Sequence, residues 1–379
     1  MRRIRYGMIG GGRDSFIGAV HRAAMRLDDG WELVCGALSS SPEKARASGA
    51  DLGLSPGRAY GSWREMIEGE SGRDPADRME AVVIVTPNDA HAGPAAAALE
   101  AGFHVVCDKP LCTRVVDAER LASLVARTGR VFAVTYNYSG YPLVKQARRM
   151  IADGAIGAVR KVIVEYNQGW LATNLEASGQ KQAAWRTDPA RAGAGGAIGD
   201  IGSHAEQLVR CVTGLEIESL FSDLTSFVPG RPIDDDANVL LRFKEAGGVR
   251  AKGVLIASQI SVGRLNDLRL RVFGERGGLE WRQEEPNTLT VHAIEGPTRV
   301  FHRGDGGLCE EARAATRLPP GHPEAFYEAF ANVYRGARLA MLGEPAAIDY
   351  PTIDDGVRGV RFIDRVVSCS ARGGSWTVL

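Results

Sequence analysis

The 379 residues are 44% hydrophobic and 24% charged, long enough for two ordinary domains of roughly 150 residues each. Lys plus Arg and Asp plus Glu both number 46, so the chain has no net charge to attract nucleic acid or an anionic membrane. The longest apolar runs, such as Ala81-Val82-Val83-Ile84-Val85, fall far short of the roughly 20 residues of a membrane span. Neither a nucleic-acid nor a membrane partner is expected.

The basic N-terminus Met1-Arg2-Arg3-Ile4-Arg5 leads into a glycine-rich turn rather than an apolar h-region, so no export signal is expected. Cys35, Cys107, Cys112, Cys211, Cys309 and Cys369 are scattered without a Cys-x-x-Cys pair. Together these features predict a protein of the reducing cytoplasm with no metal site.

In the first third, short β-rich runs alternate with helical patterns. Tyr6 to Ile9, Glu32 to Ala37, Ala81 to Val85, Phe103 to Cys107 and Val131 to Thr135 are predicted strands. Ile17 to Arg26, Pro42 to Leu52, Ala90 to Ala101 and Val115 to Thr128 are predicted helices. Such alternation makes an α/β domain with a doubly wound parallel sheet, a Rossmann arrangement assigned to residues 1–137. From Tyr138 the rhythm changes, and residues 138–379 are assigned to an α+β domain with a large, mostly antiparallel sheet. Its predicted elements are a helix at Leu143 to Asp153 and strands at 159–166, 237–243, 249–256, 268–273, 279–282 and 289–292. Helices at 323–343 and 354–371 follow and are expected to pack back on the first domain. Residues 303–321, rich in Gly, Arg and Pro, are predicted to be a mobile surface loop.

Gly10-Gly11-Gly12 follows the first strand and runs through Arg13-Asp14-Ser15 to Phe16 and Ile17 at a helix start, where backbone can approach a pyrophosphate. About two extra residues before Gly18 set it apart from a strict G-x-G-x-x-G. In place of the acidic ribose-binding residue after strand two stand Ser39, Ser40 and Ser41, with Lys44 and Arg46 a turn later, so NAD and NADP both remain open. Thr86-Pro87-Asn88 with His91, and Asp108-Lys109-Pro110, end the next two strands, on the edge where open α/β sheets bind ligands. A cis Lys109-Pro110 bond is expected to set the direction of the lysine. In the second domain Asp200 and His204 are four apart behind Gly195-Gly196, which on a helix puts a carboxylate and a general base on one face. The competing reading makes Asp200 a helix N-cap.

Taken together, Gly10-Gly11-Gly12, Thr86-Pro87-Asn88, Asp108-Lys109-Pro110 and Gly195-Gly196-x-x-x-Asp200-x-Gly202-x-His204 resemble the glucose-fructose oxidoreductase and inositol dehydrogenase (Gfo/Idh/MocA) family over nearly the whole chain. The motif lysine of that family usually follows Glu, where this chain has Asp108. The resemblance implies hydride transfer between NAD, or NADP, and a secondary hydroxyl of a sugar or polyol, with NAD favoured. It implies Lys109, Asp200 and His204 as catalytic residues, and a homo-oligomer, dimeric or tetrameric. Tyr136, Tyr138, Tyr141, Trp170 and Trp185 offer flat faces to a sugar ring, with Asn137 and Gln168 as hydroxyl partners. Lys181, Arg186 and Arg191 can hold an anionic substituent, or pair with Asp188 instead. The alternative activity is that of a redox-neutral NAD-dependent glycosidase, such as one acting on a sulfoquinovoside, in which oxidation at ring C3 permits elimination, hydration and re-reduction.

Overall fold

In the computed structural model, which describes residues 2–13, 15–344 and 349–379, contacts divide the chain into two compact units. One comprises Met1–Asn137 with Phe326–Val357, the other Tyr138–Ala325 with Arg358–Leu379. Met1 of the basic N-terminal run and Asp14 of the glycine-rich turn lie outside the described residues, as do residues 345–348.

The first unit is built on β1 (Ile4–Gly10), β2 (Trp31–Ala37), β3 (Ala81–Val85), β4 (His104–Cys107) and β5 (Phe132–Val134), all parallel, in the order β2-β1-β3-β4-β5. This is the doubly wound sheet the alternating pattern predicts. β3 is buried along its whole length, as a strand covered on both faces must be. The connecting helices are α1 (Phe16–Leu27), α2 (Pro42–Asp51), α3 (Trp63–Ser71), α4 (Ala92–Glu100) and α5 (Val115–Thr128). Serines start three of them: Ser15, Ser41 and Ser62 accept from the backbone N–H groups of Gly18, Lys44 and Glu65. The chain turns from β2 on one side of β1 to β3 on the other, so the carboxyl ends of β1 and β3 form the switch point at which such sheets bind ligands. The helix Phe326–Met341 completes this unit, burying Phe330, Tyr334 and Ala337 among Ile4, Tyr6, Val20 and Met25.

The second unit contains α6 (Pro142–Ala152), β6 (Val159–Asn167), α7 (Lys181–Arg186), α8 (Pro189–Ala192), a π-helical turn (Ile198–Gly202) and α9 (Ser203–Thr213). Strands β7 (Ile217–Thr225), β8 (Asp236–Phe243), β9 (Lys252–Ser258), β10 (Asp267–Gly274), β11 (Gly277–Arg282), β12 (Thr288–Ala293) and β13 (Arg299–His302) follow, then α10 (Glu310–Ala314) and, near the C-terminus, β14 (Thr377–Val378). Nine strands form one sheet in the order β13-β12-β11-β10-β6-β9-β8-β7-β14, antiparallel except where β6 lies beside β9. β8 alternates buried Ala237, Val239, Leu241 and Phe243 with exposed neighbours, the mark of a sheet with one packed face. The helix Ile353–Ala371 contributes its first five residues to the first unit and the remainder to the second.

The 303–321 segment is not the mobile surface loop its composition suggests. It holds α10, and the buried Arg303 guanidinium bonds to Asn287 Oδ1 at 2.8 Å, Leu318 O at 2.7 Å and the Glu324 carboxylate at 2.9 Å. A buried charge is tolerated only with such partners, and these fix the backbone around it.

Candidate active site

At the carboxyl end of β1 the backbone makes a turn that only glycine fits. Gly10 and Gly11 have φ of +78° and +76°, the left-handed region where side chains are strained. A Cβ on Gly12 would lie 2.5 Å from Leu38 O, and one on Gly18 2.3 Å from Gly11 Cα. Helix α1 is thereby pressed against the turn, and at its N-terminus Ser15 Oγ accepts from the Gly18 N–H. Phe16 is exposed at that N-terminus and Ile17 is half-buried. Across the turn, Arg13 donates to Asp51 at 2.5 and 2.8 Å, and its N–H bonds to Ser48 Oγ. After β2, Ser39 Oγ accepts from Ser41 N–H, Ser40 is exposed, and the Lys44 N–H is taken by Ser41 as helix cap.

At the end of β3, Thr86 Oγ1 is buried without a hydrogen-bond partner among the described residues, and a buried orphaned hydroxyl points to a ligand. Pro87 and buried Asn88 follow. His91 was expected to touch cofactor, but both its ring nitrogens face carbonyl oxygens, Pro110 O and Thr86 O, each at 2.9 Å. It ties the Thr86 strand end to the Lys109–Pro110 turn and has no ring nitrogen left for a nucleotide. The Lys109–Pro110 peptide is cis. Asp108 Oδ1 accepts from the Lys109 N–H and from Thr135 Oγ1, both at 2.9 Å. Lys109 itself is half-buried. Tyr136 and Asn137 are both buried, at 0% and 2% exposure, and Asn137 Nδ2 has no partner among the described residues.

In the second unit Asp200 lies inside the π-helical turn and donates its own N–H to Gly196 O at 2.9 Å, so it is not a helix N-cap. Its Oδ2 accepts from Gln259 Nε2 at 2.9 Å and pairs with Arg186 Nε at 3.3 Å. His204 is buried in the first turn of α9, edge-on to the Tyr138 ring at 4.7 Å between centroids. Tyr138 stacks on Tyr141 and shares a 2.5 Å hydroxyl contact with Tyr166; burial pushes both Tyr138 and Tyr166 up from the usual phenol value. The chain of bonds continues through Asn266 Oδ1 to Gln168 Nε2 at 2.8 Å, and from Gln168 Oε1 to the Trp170 indole at 2.9 Å.

Arg186 is committed differently from expectation. Beyond Asp200 it bonds to Gln182 and lies over the Trp185 ring at 4.3 Å. Asp188 caps α8 by accepting from Ala190 N–H. Lys181 and Arg191 are exposed.

Sequence reasoning missed Asp234, which organises the motif from outside it. Its two carboxylate oxygens accept from Gly196 N–H at 2.6 Å and Ile198 N–H at 2.8 Å, and its carbonyl accepts from Ala197 N–H. A Cβ on Gly196 would meet that carbonyl at 2.0 Å, which is why glycine stands there. Burial raises the Asp234 carboxyl to about 6 against the pull of those two N–H groups. The folded protein therefore holds a proton there that the unfolded chain gives up near pH 4. Stability from this group falls as pH rises from about 4 to about 6, then levels. In Asp234→Asn this slope disappears. Thermal unfolding at several pH values is expected to show wild type losing on the order of 3 kcal/mol relative to the variant across that window; a constant difference contradicts the assignment.

These features define a class, a dinucleotide-binding oxidoreductase whose second unit carries Asp200 and His204 four residues apart. Residues 4–136 match the oxidoreductase family NAD-binding Rossmann fold, and residues 144–280 match the GFO/IDH/MocA C-terminal domain. The chain belongs to the Gfo/Idh/MocA family and has its NAD-binding domain. The uncharacterised oxidoreductase YfiI of Bacillus subtilis (strain 168) is 33% identical over 98% of this chain and 96% of its own length. Levoglucosan dehydrogenase of Pseudarthrobacter phenanthrenivorans is 28% identical, covering 77% of this chain and 76% of its own length. An inositol dehydrogenase homologue from Azotobacter vinelandii, solved with NADH and myo-inositol, is 37% identical with a TM-score of 0.92, over 100% of this chain and 98% of that one. Among the described residues no helix is long and apolar enough to cross a membrane, and no cluster of three or more His, Cys, Asp and Glu residues could hold a metal.

Proposed function

We propose that the protein is an NAD-dependent dehydrogenase of a neutral cyclic polyol or anhydrosugar, oxidising one secondary hydroxyl. The observation that carries this reading is the Asp200 carboxylate held by both Arg186 and Gln259, four residues before His204. An anion clamp at Arg186 loses its support, because Asp200 already balances that guanidinium and Trp185 covers its face. Bound NAD supplies a nicotinamide that takes up the hydride.

The chain's own residues do the rest. His204 accepts the hydroxyl proton, Asp200 supports the charge that develops in the second unit, and the Lys109 ammonium stabilises negative charge on the substrate oxygen. Gly10, Gly11 and Gly12 leave the N-terminus of α1 open to the pyrophosphate, with Thr86 and Asn88 beside them at the strand ends. Trp170, half-buried, offers an indole face to a ring, and Trp185 offers only the face that Arg186 leaves uncovered. The names of the levoglucosan and inositol relatives support a polyol or anhydrosugar.

The test is incubation with NAD and myo-inositol, levoglucosan, other cyclic polyols and neutral or anionic nitrophenyl glycosides. NADH absorbance and nitrophenol release are followed together. NADH growth with a neutral polyol is expected. Nitrophenol release without net NADH, above all from a sulfonated glycoside, overturns the reading in favour of a glycosidase.

A further inference from the structure

His21 is fully buried in α1, far from solvent, and has no part in the chemistry above. Its Nδ1 lies 2.5 Å from the hydroxyl of Tyr334, which comes from the helix Phe326–Met341. Its Nε2 faces Asp108 Oδ2 at 3.9 Å and has no hydrogen-bond partner among the described residues. Phe330 lies against the imidazole at 4.8 Å between centroids and closes off the other side.

Burial keeps the Tyr334 phenol above its usual value, so it retains a hydrogen that it can donate to Nδ1. Burial also lowers His21, outweighing the pull of Asp108, so the imidazole is neutral and has one N–H. An Nδ1 that accepts from Tyr334 leaves that hydrogen on Nε2, the nitrogen facing Asp108. Asp108 meanwhile uses its other oxygen to hold the Lys109 N–H and Thr135 Oγ1.

We propose that Tyr334 and His21 are positioning residues for the Asp108–Lys109 corner. Tyr334 fixes the tautomer of His21, His21 turns its Nε2–H toward the Asp108 carboxylate, and Asp108 holds the Lys109 backbone. The functional consequence rests on the role proposed for Lys109, whereas the structural relay does not. A residue more than 200 positions beyond Lys109 in the sequence thus reaches the lysine through two side chains.

The experiment uses the full-length protein with 15N-labelled histidine and backbone amides. Long-range 15N–1H spectra of the wild type are expected to show His21 as the Nε2–H tautomer, a measurement that needs no variant. In Tyr334→Phe, which keeps the ring packed against Trp31, loss of the hydroxyl is expected to move the Lys109 amide resonance and speed its hydrogen exchange about tenfold. Turnover should fall about tenfold with the polyol KM changed less than twofold. A wild-type Nδ1–H tautomer, or a Lys109 amide unmoved in Tyr334→Phe, overturns the relay. If the Lys109 amide moves while the wild type oxidises no polyol, the relay stands and the dehydrogenase reading fails.

Discussion

In His204→Ala, NAD-dependent polyol oxidation is expected to fall about a thousandfold while NADH affinity changes less than about twofold. Removing a positioned general base typically costs between a hundredfold and ten-thousandfold, and several features place this one at a demanding site. The ring is buried and packed edge-on against Tyr138. It sits on α9 directly after the turn that Asp234 ties down through Gly196 and Ile198. The substrate proton then has no positioned acceptor. NADH affinity is spared because the glycine turn, Thr86 and Asn88 lie in the other unit and are untouched by the change. Steady-state kinetics alongside NADH fluorescence titration separates the two quantities. Added imidazole, entering the space the ring vacates, is expected to restore part of the rate. Equal loss of turnover and NADH affinity would remove His204 from the role of base.

How much of this was readable beforehand depends on the range of the interactions. β3 and α5 have the predicted limits, Ala81–Val85 and Val115–Thr128, because a fully buried apolar run and an amphipathic helical pattern are local signals. Helix α3 went unrecognised although Ser62 and Glu65 are spaced as a helix start, with Glu65 also accepting from Gly61 N–H. β7, with irregular burial, offered no clean alternation. The motifs around Gly10, Thr86, Lys109 and Asp200 were legible since each lies within a few residues. Their supports were not: Asp234 is 38 residues from Gly196, Gln259 is 59 from Asp200, and Tyr334 is 313 from His21. Nothing in local composition marks such partners. Arg186 shows the converse, since its charge suggested an external anion until the fold supplied Asp200 as partner.

The same contrast underlies the largest stability effect expected, that of Arg303→Met. Composition made the segment around Arg303 a flexible loop, yet the guanidinium and the Glu324 carboxylate are 3% and 1% exposed. Arg303 also donates to Asn287, Leu318 O, Pro319 O and His322 O, while Glu324 accepts from the N–H groups of Arg317 and Leu318. Methionine fills much of the volume but leaves Glu324 as an unpaired buried charge and several carbonyls without donors. Losing one partner of such a pair costs about 3–5 kcal/mol. Adding Glu324→Gln to Arg303→Met removes the stranded charge yet keeps an acceptor for Arg317 and Leu318, so it is expected to recover part of the loss. Urea unfolding followed by tryptophan fluorescence, with hydrogen exchange over residues 303–324 as the local reading, measures both. A midpoint shift equivalent to less than about 1 kcal/mol in Arg303→Met would mean that the backbone of this segment is held by its turns and by α10, with the ion pair contributing little.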